Sequence, residues 1–152
     1  MVGVLPDDGD GRTDPCAVAA LDLALFTGMG QARNVINALS SEVMVVCGAG
    51  GAGTLAEAAH ALKAGRPLVL LAVPEPWRAL LSSQGGAVRI CDTVAEAIEA
   101  IELLLAAAQV VGDQPAANRD RHDQRLPVAL VQLCASDDAA ANLRREIGRA
   151  HV

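Results

Sequence analysis

Val43-Met44-Val45-Val46-Cys47-Gly48-Ala49-Gly50-Gly51-Ala52-Gly53-Thr54-Leu55-Ala56-Glu57 joins an apolar run to a helical one through a glycine-rich break. Its first five residues carry no polar side chain and are rich in β-branched valine, as in a strand buried on both faces. Glycines then break the run. Leu55, Ala58, Ala59 and Leu62 follow at the i, i+3, i+4, i+7 spacing of an amphipathic helix. Gly65 and Pro67 stop that helix in the usual order. Residues 68–73 form a second wholly apolar strand, closed by Pro74 and Pro76. Residues 2–5, 21–26 and 88–91 read as further strands. Residues 31–40 read as a helix with Val35, Ile36 and Leu39 on its apolar side. Residues 94–108 read as a helix with Val94, Ala97, Ile98, Ile101 and Leu105 as its buried stripe. Strands apolar on both faces that alternate with helices predict an α/β protein, a three-layer sandwich around a mostly parallel sheet. A helical bundle is disfavoured, because the two strongest apolar runs are short and bounded by breakers.

The chain has 152 residues, enough for one domain with a real core. Its 18 acidic and 12 basic residues leave a net charge of −6, which repels a phosphate backbone and argues against nucleic acid as a partner. One Phe, one Trp and no Tyr leave nothing on which to stack bases. No apolar run reaches the roughly 18 residues of a membrane span. The opening MVGVLPDDGDG lacks the basic flank of a signal peptide. Cys16, Cys47, Cys91 and Cys134 form no close pair, and the three histidines are equally scattered, so no metal site is expected. Cytoplasmic location with reduced thiols follows. Residues 1–108 read as the ligand-binding core and the polar, break-rich residues 109–126 as a linker. Residues 127–150 read as an additional strand–helix unit packed on the same sheet. In its helix, Asp137 and Asp138 stand near the start and Arg144, Arg145 and Arg149 near the end, matching the helix dipole.

Chemistry concentrates in two loops at strand ends. Gly50, Gly51 and Gly53 let a ligand approach the backbone, and the helix that follows offers unpaired N–H groups and a positive dipole end, a site for a phosphate. The spacing is not that of a P-loop, whose lysine is missing, so triphosphate hydrolysis is disfavoured. Thr54 and Glu57 allow two readings: a capping box, like the one at Thr93 and Glu96, or a functional carboxylate at the mouth of the phosphate site. Arg33 stands in the first turn after Gly28-Met29-Gly30, where its charge opposes the dipole; it reads as a partner for an anionic ligand, or as a surface pair with Glu42 or an aspartate. In parallel sheets ligands gather at the carboxyl ends of strands, so Arg33 and Glu57 are expected at one pocket. His60 reads as a helix-face residue, and Trp77 as cover for a sheet edge or a subunit contact.

The elements Leu25-Phe26-Thr27-Gly28-Met29-Gly30-Gln31-Ala32-Arg33-Asn34 and Gly50-Gly51-Ala52-Gly53-Thr54-Leu55-Ala56-Glu57 together resemble the lonely-guy (LOG-like) Rossmann superfamily, over roughly residues 1–106. The first element most resembles the branch that holds molybdenum cofactor carrier proteins. The resemblance implies a Rossmann-like fold and binding of a phosphorylated small molecule, a nucleotide or molybdopterin. Gly28, Met29, Gly30, Asn34, Gly50, Gly51, Gly53 and Thr54 would bind the ligand. It also implies an alternative activity, cleavage of the N-glycosidic bond of nucleoside 5′-monophosphates, with Arg33 and Glu57 as the catalytic pair. The glycosidase members usually read PGGxGTxEE; here Ala49 and Ala56 replace the proline and the first glutamate, and the upstream element is ARN rather than HxRK. Family members also begin with two further βα units, so the sheet is expected to be shortened, or permuted with residues 127–150 in the place of the first strand. Relatives tend to form dimers, which implies a homodimer or higher homo-oligomer.

Overall fold

A computed structural model describes residues 2–5, 7, 21–112 and 129–132. The strands are β1 (Val2–Leu5), β2 (Leu23–Phe26), β3 (Val43–Cys47), β4 (Leu68–Leu71), β5 (Val88–Cys91) and β6 (Ala129–Gln132). The helices are α1 (Arg33–Ser40), entered through a 3-10 turn over Gly30–Ala32, then α2 (Ala52–Lys63), α3 (Glu75–Ser83) and α4 (Val94–Gly112). Every strand pairing is parallel. The fold is the expected α/β, Rossmann-like sandwich, and every residue of β3 and β4 is buried, as strands covered on both faces require.

Side chains alternate along β3 and β4 to feed two cores. Val43, Val45, Cys47, Val69 and Leu71 pack with Ala97 and Ile101 of α4. Met44, Val46, Leu68 and Leu70 pack on the opposite side with Ala38 of α1, Ala58 and Ala61 of α2 and Leu81 of α3. Trp77 joins this second core as a partly buried side chain. Cys47 and Cys91 are buried, and burial pushes the Cys91 thiol up, with Glu96 and Asp92 adding to it. The helix stop at Gly65 is a Schellman turn: Gly65 has φ 71°, and the N–H groups of Gly65 and Arg66 donate to the carbonyls of Leu62 and Ala61.

Three expectations change, and one helix is new. Among the described residues the strands form two hydrogen-bonded sheets, β1-β2 and β5-β4-β3-β6, instead of one. Both edges of β3 are occupied, by β4 and β6, so β2 finds no ladder there and pairs with β1. A permuted first strand would have neighbours on both sides; among the described residues β6 has one, β3. The stretch over residues 75–83 is a helix, because Pro76 sits in its first turn, where no N–H is needed. Helix α4 runs on to Gly112, into the expected linker. Residues 113–126 and the helix expected at 137–150 lie outside the described residues.

In α1 the apolar side is not the buried one. Val35 is 37% and Leu39 53% exposed, whereas Asn34, Asn37 and Ala38 are buried. In α2 the buried positions are Thr54, Glu57, Ala58 and Ala61. Among the described residues no helix is long and apolar enough to cross a membrane.

Leu70 is fully buried and Leu103 is 65% exposed. Leu70→Ala is expected to cost about 2–5 kcal/mol. Leu103→Ala should stay within about 0.5 kcal/mol. Urea-denaturation midpoints of the two variants check the difference.

Candidate functional site

Two loops at carboxyl ends of parallel strands build the site. After β2, Thr27 donates through its hydroxyl to the Leu5 carbonyl at 2.8 Å, and the Gly28 N–H donates to the Asp7 carbonyl at 2.8 Å. These bonds fasten the end of β2 to that of β1. Gly30, with φ 52°, turns the chain into the 3-10 segment and sets Arg33 as the first residue of α1. After β3, Gly51 caps α2 in an extended conformation without a side-chain cap. The Leu55 N–H donates to the Gly51 carbonyl at 3.2 Å, so the Ala52 and Gly53 amides of the first turn have no acceptor within the helix. The amino end of α2 therefore presents donors and a positive dipole end to whatever lies beyond it.

The side chains of Arg33 and Glu57 meet across the α1–α2 seam. Arg33 Nη1 donates to Glu57 Oε1 at 2.8 Å, and Asn37 Nδ2 donates to the same oxygen at 3.1 Å. Asn34 Nδ2 donates to the Gly53 carbonyl at 3.4 Å. Glu57 is 1% exposed. Burial pushes its carboxyl above the ordinary carboxylate range; the Asn37 hydrogen bond and the charges of Arg33 and His60 oppose that rise without cancelling it. Arg33 is more open, its side chain 22% exposed, and among the described residues its Nε has no acceptor. A cavity of 320 Å³ lies over the pair, lined by Gly30, Gln31, Arg33, Asn34, Gly51, Gly53, Thr54 and Glu57.

The two readings of Thr54 and Glu57 are now separated. At Thr93 the cap is built: the Glu96 N–H donates to Thr93 Oγ1 at 3.3 Å, and Glu96 Oε2 accepts from the Asp92 N–H at 2.9 Å. Helix α2 instead begins at Ala52, so Thr54 stands inside its first turn and Glu57 turns away to α1. The unfavourable place of Arg33 is offset by this buried carboxylate, not by Glu42 or a surface aspartate. Of the expected residues, Gly30, Arg33, Asn34, Gly51, Gly53, Thr54 and Glu57 line one cavity; Gly28, Met29 and Gly50 are not among its lining residues. Asn37 and Gln31 are additions. Asn37 is legible only once Arg33 is placed, since it stands one turn further along the same helix face.

Parallel strands, a glycine-rich strand-to-helix turn and a cavity at the strand ends define a Rossmann-like α/β protein. Within that class the chain belongs to the SLOG cluster4 family, which residues 1–98 match. Solved structures agree. The molybdenum cofactor binding protein of the phototrophic bacterium Rippkaea orientalis is 35% identical, with a TM-score of 0.60, over 68% of this chain and 61% of that one. The molybdenum cofactor carrier protein MCP of Chlamydomonas reinhardtii is 42% identical, with a TM-score of 0.58, over 69% of this chain and 61% of that one. The matched region thus spans 61% of the length of these relatives. No curated protein matches the chain.

A carboxyl whose folded-state pKa is raised binds more protons folded than unfolded, so its ionisation removes stability as pH rises. The stability of the native protein relative to Glu57→Gln should therefore fall as pH is raised above about 4, where an unfolded glutamate titrates. Denaturation midpoints of both proteins across that window check the sign.

Proposed function

We propose that the chain binds a phosphorylated small molecule of the molybdopterin type. The phosphate is held by N–H groups of Gly51, Gly53 and Thr54 at the amino end of α2, with Arg33 on the rim. The observation that carries this reading is the pair Gly51 and Gly53. Gly51 has φ −90°, and Gly53 lies within the helix and is not among the residues of positive φ, so neither needs glycine for its conformation. A Cβ at Gly51 would meet nothing within 4 Å, and one at Gly53 only Asn34 Nδ2 at 3.7 Å. Packing does not require glycine either. Glycine within a helix costs about 0.5–1 kcal/mol relative to alanine. A ligand whose oxygens come close to the backbone accounts for that cost, because a methyl group would stand in its way.

Further support is chemical. The net charge of −6 gives no general attraction for an anion, so the attraction must be local, and the α2 amino end and the open face of Arg33 supply it. Each charge-assisted hydrogen bond contributes about 1.5–3 kcal/mol. The cavity of 320 Å³ is in the size range of small-molecule sites. Both solved relatives are described as proteins that bind or carry the molybdenum cofactor. Cytoplasmic location and a homo-oligomer belong to the proposal, supported by the free thiol of Cys91 and by the exposed apolar side chains Val2, Leu23, Leu25 and Leu39, respectively. The 127–150 unit is proposed to complete the sheet beside β3, supported by the β3–β6 ladder.

One observation favours a second reading. Glu57 lines the same cavity, and burial raises its carboxyl above the ordinary carboxylate range, the direction in which a proton donor is tuned. That is what a phosphoribohydrolase cleaving an N-glycosidic bond would use, and release of free base from AMP distinguishes it from a carrier.

The principal test is Gly53→Ala in a host that makes the molybdenum cofactor, with copurified pterin read by fluorescence after oxidation. The variant should gain about 0.5–1 kcal/mol of stability. It should also lose at least about tenfold in bound pterin. Undiminished pterin in the variant, or none in the native protein, contradicts the proposal.

A further inference from the structure

A carboxylate oxygen has two lone-pair sites, and those of Glu57 Oε1 are both used, by Arg33 Nη1 at 2.8 Å and Asn37 Nδ2 at 3.1 Å. The donors come from successive turns of α1, so they hold the carboxylate in one rotamer between two helices. The amide of Asn37 is buried, and its nitrogen is the only end that suits a carboxylate. Glu57 Oε2 has no hydrogen-bond partner among the described residues, in a side chain that is 2% exposed and lines the cavity. Oε2 is therefore the oxygen of Glu57 left open to a ligand in the cavity, beside a helix end that offers donors.

We propose that Asn37 is a positioning residue which, together with Arg33, saturates Oε1 of Glu57 and leaves Oε2 as the acceptor that selects ligands carrying an N–H or O–H donor next to their anionic group. This rests on the reading of the α2 amino end as an anion site. A ligand without the donor fills the cavity, strips water from Oε2 and leaves it unpaired, so it is discriminated against. Sites built to hydrogen-bond a substrate N–H or O–H reject analogues lacking it far more strongly than apolar pockets reject a missing methylene. Glu57→Gln reverses the polarity at one atom. The Gln oxygen must stay with its two donors, so its NH₂ group takes the place of Oε2 and becomes a donor facing a donor.

The test is calorimetric titration of the full chain with two probes, methyl phosphate and guanosine 5′-monophosphate, of which the second brings N–H and O–H donors with its phosphate. The native protein should prefer the nucleotide by about tenfold or more. That preference should vanish in Glu57→Gln and fall partway in Asn37→Leu. Because Asn37 acts through Glu57, Asn37→Leu should take nothing further from the preference in the Glu57→Gln background. If Asn37→Leu does not fold, Asn37→Ser, whose hydroxyl is too short to reach, replaces it. A preference that survives Glu57→Gln overturns the proposal, and so does an equal effect of Asn37→Leu in both backgrounds. Nucleotide binding that depends on Glu57 without methyl phosphate binding contradicts the anion site alone. Binding of neither probe overturns both.

Discussion

A carboxylate buried to 1% exposure on α2 is the constraint to which the rest of the site answers. Removing a charge from water costs several kcal/mol unless partners replace the lost hydration. Arg33 and Asn37 are those partners, and both lie on α1. The two helices are thus fastened by a polar contact where an apolar seam would otherwise run. This explains the inverted character of α1, which buries Asn34 and Asn37 and turns Val35 and Leu39 outward. It also explains why a cation stands at a helix amino end. The carboxylate stabilises Arg33 locally more than the dipole opposes it, since dipole effects at exposed termini are only about 0.3–1 kcal/mol.

The sheet supplies the rigidity that this polar seam lacks. Strands β3 and β4 are buried on both faces and pack into separate cores above and below. The loop from β3 into α2 therefore leaves a fixed base, and the first turn of α2 has a fixed direction. Positions 51 and 53 add the space that a side chain would take. Donor amides, a partly open guanidinium and a buried carboxylate then surround one cavity. Such a set suits a ligand with an anionic end and a polar remainder better than an apolar one.

The sheet was legible in the sequence where burial is two-sided. Val43 to Cys47 and Leu68 to Leu71 have no polar interruption, so the strand and its place in the interior follow together. Pairing was not legible, because it is decided by which strand reaches the free edge of β3, and β6 comes from the far end of the chain. Helix α3 was hidden by Pro74 and Pro76, which are breakers within a helix but tolerated at its start. The glycine loop, Arg33 and Glu57 were legible as a group. Their mutual contact was not, since Thr54 and Glu57 satisfy a capping pattern that only the start of α2 at Ala52 dismisses. Asn37 escaped because an asparagine inside a helix, between Val35-Ile36 and Ala38-Leu39, carries no local signal of burial.

The most direct measurement is a titration of the isotope-labelled protein with inorganic phosphate, followed by the backbone amide resonances. The account predicts saturable downfield shifts concentrated at Gly51, Ala52 and Gly53, with the Arg33 guanidinium following. Shifts spread over the surface, or confined to residues away from the amino end of α2, would contradict it.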